Sequence, residues 1–346
     1  MSRFEVSEQP DPACWDASVC AVGGTVFHSS AWAHYVVLER GNAVPQFFTL
    51  YGEGGAIVGV ALGFRAQSGR ALLGPISGRL WLDAVPAVLG GDPGTLRAFV
   101  RHLEEYASAA GAVELAVGSF AYRGGSDALE DLGFELRRRF EFELALDPPE
   151  EALWSALEHK RRKNVKKGLR LNVTVTDLPG DEGIAELRRL QSASGERIAQ
   201  RGGPRIGTHS SSIDPIAVLL EAGVARIIGA KLDGRWVSAG LFTCFNGLVY
   251  HTLSGHEQVA LETQAPTLLL WETIKRYRRE GARRFSLGGA SIGAVDPRSP
   301  EHGVYEYKRA FGGVTLECAS GTKTLRRTAK RLLRLLEGAA GLVSTR

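Results

Sequence analysis

The sequence predicts a mixed α/β (α+β) fold that is built twice along one chain. Its 346 residues suffice for two domains with separate cores, and contents of 44% hydrophobic and 23% charged residues are typical of a globular protein. Both halves show the same order of patterns: hairpin strands, then a helix that ends at Gly-Ala, then a further strand. We therefore expect a first domain over residues 1–147 and a second over 148–320, with a C-terminal helix over 321–346.

In the first half, the segment 28–41 has the signals of a helix. Ser29 or Ser30 can cap its start, and Gly41 can end it. The glycine-rich stretch GEGG joins two strand-like runs, which is typical of a hairpin. The predicted elements that follow the first helix are strands over 46–51 and 56–64, a helix over 95–111, a strand over 112–118 and an extended run over 134–146.

The second half repeats this order at greater length. Asp233-Gly234 and Asn246-Gly247 predict two tight turns that divide residues 225–255 into three strands. A basic amphipathic segment over 322–341 predicts a C-terminal helix that either packs back on the first half or stays solvated. The other predicted elements are helices over 151–170, 183–201 and 263–281 and strands over 172–178 and 282–289.

Composition argues against several classes of protein. No apolar run approaches the ~20 residues that a membrane helix needs, and the N-terminus has no apolar segment typical of a secretory signal. Cys14, Cys20, Cys244 and Cys318 form neither a CxxC motif nor a metal-binding spacing. We therefore expect a cytoplasmic protein with reduced thiols, no membrane span, no metal and no other cofactor.

Charge is distributed unevenly between the halves. Residues 1–147 carry 11 basic and 18 acidic side chains, whereas residues 148–346 carry 31 and 20. One helical segment of the basic half concentrates its cations, which repel one another at helical spacing. A polyanionic partner would explain that concentration, and a solvated surface helix is the alternative. The cations expected to bind a polyanion are Lys160, Arg161, Arg162, Lys163, Lys166 and Lys167.

Several motifs of the second half occur in a recognisable order. They are HKRRKNVKKGLR (159–170), YHTLSG (250–255), QAPTLLLWETIKRYRREGARRFSLGG (264–289) and GVYEYKRAFGG (303–313), and the first half adds FHSSAWAHYV (27–36). In this order they resemble the Fem-like, aminoacyl-tRNA-dependent transferases and their relatives in the GNAT superfamily of acyltransferases. The resemblance covers residues 25 to 320 and implies that each half is a GNAT-like domain.

The resemblance also implies which residues form the site. A lysine in the EYKRAFGG motif lies at the donor end of the family's cleft, so Lys308 becomes the candidate catalytic residue. Lysine is scarce here, with nine Lys against 33 Arg, which favours a specific role over a structural stem packed on Tyr305 or Phe311. The candidate substrate-binding residues are Tyr307, Gly288, Gly289, Ser291, His251 and Trp32, although His251 is also compatible with a structural role.

Two observations limit the choice of substrates. The peptidoglycan enzymes of the family place a lysine near the position of Val36 to bind a nucleotide diphosphate, and this chain has none there. CoA-dependent enzymes of this fold cradle the pyrophosphate with a glycine-bearing loop, yet no glycine lies between Gly255 and the following helix.

The resulting expectation is an aminoacyltransferase that moves an aminoacyl group from tRNA to an amine of a peptide or small-molecule natural product. An aminoacyl ester is already activated, so the absence of a nucleophile motif is compatible with amide formation. Three alternatives stay open: an acyl-CoA-dependent GNAT N-acyltransferase, a peptidoglycan-precursor aminoacyltransferase, and a nucleic-acid-binding module that has lost its active site.

Overall fold

The computed structural model describes residues 3–66, 78–122, 124–200 and 214–332. The chain forms two compact units: the first comprises Met1–Arg138 together with Cys318–Arg346, and the second comprises Arg139–Glu317. The boundaries expected from the sequence follow residues 147 and 320, so residues 139–147 lie in the second unit instead of the first.

The first unit contains one mixed sheet with the order β1-β2-β3-β4-β6-β13. All neighbouring strands in it pair antiparallel except β4 and β6, which pair in parallel. Its strands are β1 (Arg3–Ser7), β2 (Val44–Tyr51), β3 (Ile57–Ala66), β4 (Arg79–Leu82), β5 (Ala87–Val88, which pairs with β3), β6 (Glu114–Val117) and the part of β13 (Val314–Thr324) that follows Glu317. Its helices are α1 (Pro12–Ala21), α2 (Ser30–Arg40), α3 (Pro93–Ala109) and α4 (Ser126–Asp131).

The second unit contains a sheet with the order β7-β12-β11-β10-β9-β8. Here β11 and β12 form the parallel pair, and the other neighbours are antiparallel. The strands are β7 (Glu135–Ala145), β8 (Thr174–Asp177), β9 (Ala225–Leu232), β10 (Arg235–Phe245), β11 (Leu248–His256) and β12 (Arg284–Ser291). The helices are α5 (Glu150–Ala156), α6 (His159–Arg170), α7 (Gly180–Gln200), α8 (Ile216–Glu221), α9 (Gln258–Thr263), α10 (Ala265–Arg279) and α11 (His302–Arg309).

Each sheet obtains its last strand from the other half of the sequence. β7 ends the first half, yet Arg139–Ala145 pair with β12 in the second unit. β13 follows the second half, yet Gly321–Thr324 pair with β6 in the first unit. This exchange of strands explains why the boundary between the units falls before residue 147.

Amphipathic helices supply the two cores. The buried face of α3 carries Leu96, Phe99, Val100, Leu103 and Ala107, at the spacing of a single helical stripe. In the second unit α10 buries apolar residues on most of its surface, including Trp271, which was expected to be a core residue. The turns at Asp233 and Asn246 are present, and both residues have positive φ.

The structure differs from the predicted elements at three places. The helix expected over 151–170 is broken into α5 and α6, because the Glu158 N–H donates to the Ala310 carbonyl instead of continuing the helix. The motif around Lys308 forms a helix, α11. Residues 322–324 of the predicted C-terminal helix are still strand; helix begins at Arg327, and residues 333–346 lie outside the described part.

The contact made by the beginning of this terminal helix lies within the first unit. Lys330 Nζ donates a 2.8 Å hydrogen bond to Glu114 Oε2. None of the helices described here is both long and apolar enough to cross a membrane.

Candidate functional site

A cavity opens in the second unit where two parallel strands separate. β11 and β12 pair over Leu248–Tyr250 and Arg284–Ser286, and the pairing of β12 with β7 then shifts between Ser286 and Gly289. Beyond this point lies a cavity of about 440 Å³. Its walls come from β10, β11, β12, α9, α10 and α11. Sites outside the carboxyl ends of parallel strands are common in α/β proteins, because the separating strands leave backbone groups available there.

The segments that follow the parallel pair of the first unit, β4 and β6, are bonded to each other. There the Gly118 N–H donates to the Leu82 carbonyl at 2.7 Å, and the Phe120 N–H donates to the Asp83 carbonyl at 3.1 Å. These bonds join the segments that follow β4 and β6. A cavity of about 540 Å³ also lies beside these segments, and its lining includes Val85 and Phe120.

Lys308 lies at the cavity. Its Nζ donates a 2.9 Å hydrogen bond to the carbonyl oxygen of Gly289. Burial, followed by the nearby Arg139 guanidinium, lowers the pKa of this lysine to about 8, while Glu141 and Glu301 act in the opposite direction. The ammonium is thus close to its titration point in neutral solution and can respond to small electrostatic changes.

Gly288 and Gly289, which lie beside Lys308, contribute to the site in different ways. Gly288 has φ of +72°, and a Cβ there would lie 3.3 Å from Lys308 Nζ, so its missing side chain leaves space beside the ammonium. A Cβ on Gly289 would overlap the Arg139 guanidinium and the Phe140 carbonyl oxygen. Gly289 therefore permits the close approach of β7, and it contributes its carbonyl to Lys308.

His251 and Tyr307 line the same cavity as Lys308. The His251 ring stacks on Phe242 at 4.8 Å between centroids, and burial followed by the Lys308 charge lowers its pKa to about 3. Burial raises the pKa of Tyr307 to about 12. A second imidazole, His256, borders the cavity with a pKa of about 4, lowered mainly by burial. Both imidazoles are therefore neutral near pH 7.

Ser291 lies at the end of β12 and supports the site from outside the cavity lining. Its N–H donates to Glu301 Oε2 at 3.0 Å. Glu301 directly precedes α11, so this bond ties the end of β12 to the start of the helix that carries Lys308. A direct contact between Ser291 and a substrate stays a prediction.

One pair of functional side chains was missed by the sequence analysis. Tyr250 donates a 2.7 Å hydrogen bond to Glu141 Oε1, and the Arg139 guanidinium lies 3.7 Å from the same oxygen. The Tyr250 hydroxyl is 3.8 Å from where a Gly288 Cβ would stand. Burial raises the Tyr250 pKa well above its usual value. Glu141 alternates with two phenylalanines, a pattern typical of a solvent-facing strand position, so no local signal identifies it as buried.

The cationic helix α6 divides into two kinds of residue. Lys160, Lys163, Lys166 and Lys167 are exposed, and the partly buried Arg162 donates to the Ser155 carbonyl at 2.9 Å. The opposite face packs on α10 through Val165 and Gly168.

Arg161 differs from its neighbours because it is only 8% exposed. Its guanidinium lies over the Tyr307 ring, 4.3 Å from the centroid, which is a cation–π geometry. The expected group of six tRNA-binding cations therefore separates into four exposed lysines, the partly buried Arg162, and Arg161, which packs on a cavity residue.

Trp32 belongs to the first unit, so the structure does not bring it together with the residues described above. It is 5% exposed, donates through Nε1 to Asp83 Oδ2 at 2.8 Å, and stacks on Tyr35. Its role in substrate binding stays a prediction. Val36, at the position compared with the family's acceptor lysine, is buried in the same helix.

The N-terminus of α10 is poorly suited to a pyrophosphate. Pro266 has no N–H group, and the N–H groups of Thr267 and Leu268 both donate to the Gln264 carbonyl, at 3.1 Å each. A helix start binds anions through N–H groups that are still available. No cluster of His, Cys, Asp and Glu suited to a metal ion occurs in the described ranges of the chain.

Comparisons with known proteins agree with this fold. Residues 159–309 match the family described as acetyltransferase (GNAT) domain. The crystal structure of FemX is similar with a TM-score of 0.77 and 16% identity, over 95% of this chain and 99% of FemX. The structure of L-PGS from Bacillus licheniformis has a TM-score of 0.57 and 17% identity, over 96% of this chain and 98% of that one.

A search of curated proteins by sequence gives no match. The similarity to FemX covers 95% of the chain and therefore includes most of both units. The chain therefore has the fold of FemX, and its residues 159–309 match the GNAT acetyltransferase domain family.

Proposed function

We propose that the protein transfers an aminoacyl group from aminoacyl-tRNA to an amine of a peptide or small-molecule acceptor. The observation that carries this proposal is the position of Lys308, whose ammonium borders a cavity at the separation of β11 and β12. Exposed lysines on α6 of the same unit offer a surface for a polyanion. We also propose that the reaction takes place in the cytoplasm.

Amide formation from an aminoacyl ester requires few catalytic groups from the protein. The acceptor amine attacks the ester carbonyl, a C–N bond forms, and the C–O bond to the terminal ribose breaks. The amine loses one proton and the departing ribose oxygen gains one. Negative charge develops on the carbonyl oxygen during the attack, and an ammonium held at fixed geometry stabilises it. Lys308 has two N–H bonds beyond the one donated to Gly289, so it can serve as that donor.

Two observations favour tRNA over CoA as the donor. The first is the start of α10, where Pro266 lacks an N–H and the next two amides are already bonded. The second is the face of exposed lysines on α6, which suits the repeated phosphates of RNA better than one pyrophosphate. An acyl-CoA-dependent N-acyltransferase is therefore our second candidate.

The acceptor is proposed to be a peptide or natural product rather than a nucleotide-linked peptidoglycan precursor. The buried Val36 offers no cation for a diphosphate at the position where the resemblance would require a lysine.

The donor can be tested by incubating the protein with a pool of charged tRNA and a panel of amine acceptors, with and without ribonuclease. We expect amide products, detected by mass spectrometry, that disappear after ribonuclease treatment and in a Lys308→Ala variant. Products that form from acetyl-CoA and persist with ribonuclease would instead establish the second candidate. Products from UDP-linked peptides alone would establish the peptidoglycan alternative.

A further inference from the structure

The cavity next to Lys308 has a largely apolar wall on the side of α9, α10 and β12. Leu261, Leu269, Leu270 and Leu287 line this side, and Val304 lines it from α11. The leucines of α10 and β12 are buried, so their positions are fixed by the core behind them. A volume of about 440 Å³ is in the range of pockets that hold small molecules, and it is ample for the side chain of an amino acid.

The cavity lining contains few charged side chains. Among the described residues that line the cavity, Lys308 is the only Asp, Glu, Lys or Arg. Two imidazoles also border it, and burial lowers the pKa of His251 to about 3 and that of His256 to about 4. Near pH 7 the described lining therefore offers one cation, two neutral imidazoles and no carboxylate.

We propose that this cavity receives the side chain of the transferred aminoacyl group and selects an uncharged, mainly apolar one. The inference rests on the proposed function, because it takes the donor to be an aminoacyl ester whose carbonyl lies at Lys308.

Charged side chains would be disfavoured for two separate reasons. A lysyl or arginyl chain would lose its hydration in the cavity without a carboxylate to replace it, and it would face the like charge of Lys308. A glutamyl or aspartyl chain could pair only with Lys308, and that pair would compete with stabilisation of the developing oxyanion. An aliphatic or aromatic chain has neither disadvantage.

The experiment measures binding without any acceptor. The probes are amides of 3′-amino-3′-deoxyadenosine, which imitate the aminoacylated tRNA end but do not react. Two matched pairs isolate charge: norleucyl against lysyl, and glutaminyl against glutamyl. We expect calorimetry at pH 7 to show the neutral member of each pair binding about tenfold tighter or more, because the charged member is desolvated without a suitable partner.

A designed variant tests where the side chain lies. Ser254 is exposed and lines the cavity, so Ser254→Asp adds a carboxylate with little risk to the fold. We expect this variant to reduce the preference for norleucyl over lysyl at least threefold and to enlarge the preference for glutaminyl over glutamyl. Exposed Ser155 lies on α5, outside the cavity lining, so Ser155→Asp is the matched control and should change neither ratio.

The outcomes distinguish a failure of this inference from a failure of the proposed function. Equal binding within both pairs, or tighter binding of the lysyl probe, would overturn the selection of uncharged groups while leaving aminoacyl transfer intact. Failure of all four probes together with tight binding of acetyl-CoA would overturn the proposed function, and this inference with it.

Discussion

Tyr250 donates a 2.7 Å hydrogen bond to Glu141, although both side chains are buried, with exposed fractions of 5% and 2%. A buried carboxylate is unfavourable unless hydrogen bonds and charges compensate it, and here one phenol and the Arg139 guanidinium do so. Because the phenol and Lys308 Nζ both lie next to Gly288, the pair is part of the electrostatic environment of the candidate catalytic lysine.

Replacement of Glu141 should change the charge of Lys308. The carboxylate favours the ammonium form, whereas burial and Arg139 oppose it, so Glu141→Gln should lower the Lys308 pKa below its value of about 8. We expect a decrease of at least about half a unit. If activity requires the ammonium form of Lys308, activity should fall as the pH rises. In this variant the fall should occur at a lower pH than in the wild type, because Lys308 loses its proton at a lower pH.

The pKa can be measured directly by NMR with ¹³C-labelled lysine, since the chain has nine lysines and Lys308→Met identifies the signal. The charged or titratable groups near Lys308 are Arg139, Glu141, Tyr250, His251 and Glu301. Arg139→Gln should raise the pKa. Glu143→Gln, on the same strand and near Arg284, is the control. An unchanged Lys308 titration in Glu141→Gln would contradict this account.

Removal of the lysine itself should affect turnover more than stability. Lys308→Ala removes one hydrogen bond to Gly289 and a partly desolvated charge, so we expect a melting temperature within a few degrees of the wild type. Loss of the oxyanion donor should reduce kcat by about a hundredfold or more. Lys308→Arg should restore little, because a planar guanidinium is larger than an ammonium and presents its N–H groups in a different geometry. Near-normal turnover of Lys308→Ala would show that this lysine has a structural role and no catalytic one.

The exposed lysines of α6 should determine the salt dependence of tRNA binding. Each phosphate contact that is removed reduces the slope of log K against log salt concentration by about 0.7 to 0.9. Lys163→Ala/Lys167→Ala should therefore weaken binding and flatten the slope by about 1.5. Arg235→Ala/Arg298→Ala removes the same charge from exposed positions elsewhere in the second unit and should leave the slope unchanged. Equal slopes for both double variants would indicate that α6 is an ordinary solvated helix without specific phosphate contacts.

Arg161 should behave differently from these lysines. It is buried over Tyr307, so Arg161→Ala removes packing from a cavity residue rather than a phosphate contact. We expect a lower melting temperature and weaker binding of the adenosine amides, with no change in the salt slope for tRNA. A flattened slope in this variant would return Arg161 to the group of phosphate-binding cations.

Gly289 should be more sensitive to substitution than other glycines of its segment. Gly289→Ala places a methyl group against the Arg139 guanidinium and the Phe140 carbonyl, so β7 must move away from β12. We expect a loss of about 1–3 kcal/mol in the free energy of unfolding, measured by urea denaturation. Gly293→Ala is the control, because a Cβ there meets nothing within 4 Å. A neutral Gly289→Ala would show that the strands tolerate separation.

Local patterns identified most helices and strands, and the motif around Lys308 led to the cavity. Glu141 could not be found in this way, because alternation of polar and apolar residues indicates which face of a strand a residue occupies but not what covers that face. Arg161 was grouped with its neighbours because this helix carries cations on all of its faces. Composition alone does not show which of those faces is buried. The exchanged strands escaped prediction because pairing between β12 and β7 joins segments that are remote in sequence.

The exchange of β7 and β13 has a consequence for synthesis on the ribosome. The sheet of the first unit lacks its last strand until Gly321–Thr324 has been made, after the whole second half of the fold. Until then β6 presents an unpaired edge, which is the feature through which nascent chains aggregate. The two halves consequently cannot mature one after the other as independent modules. The second half expressed alone would also lack Arg139 and Glu141, and with them the charges that surround Lys308.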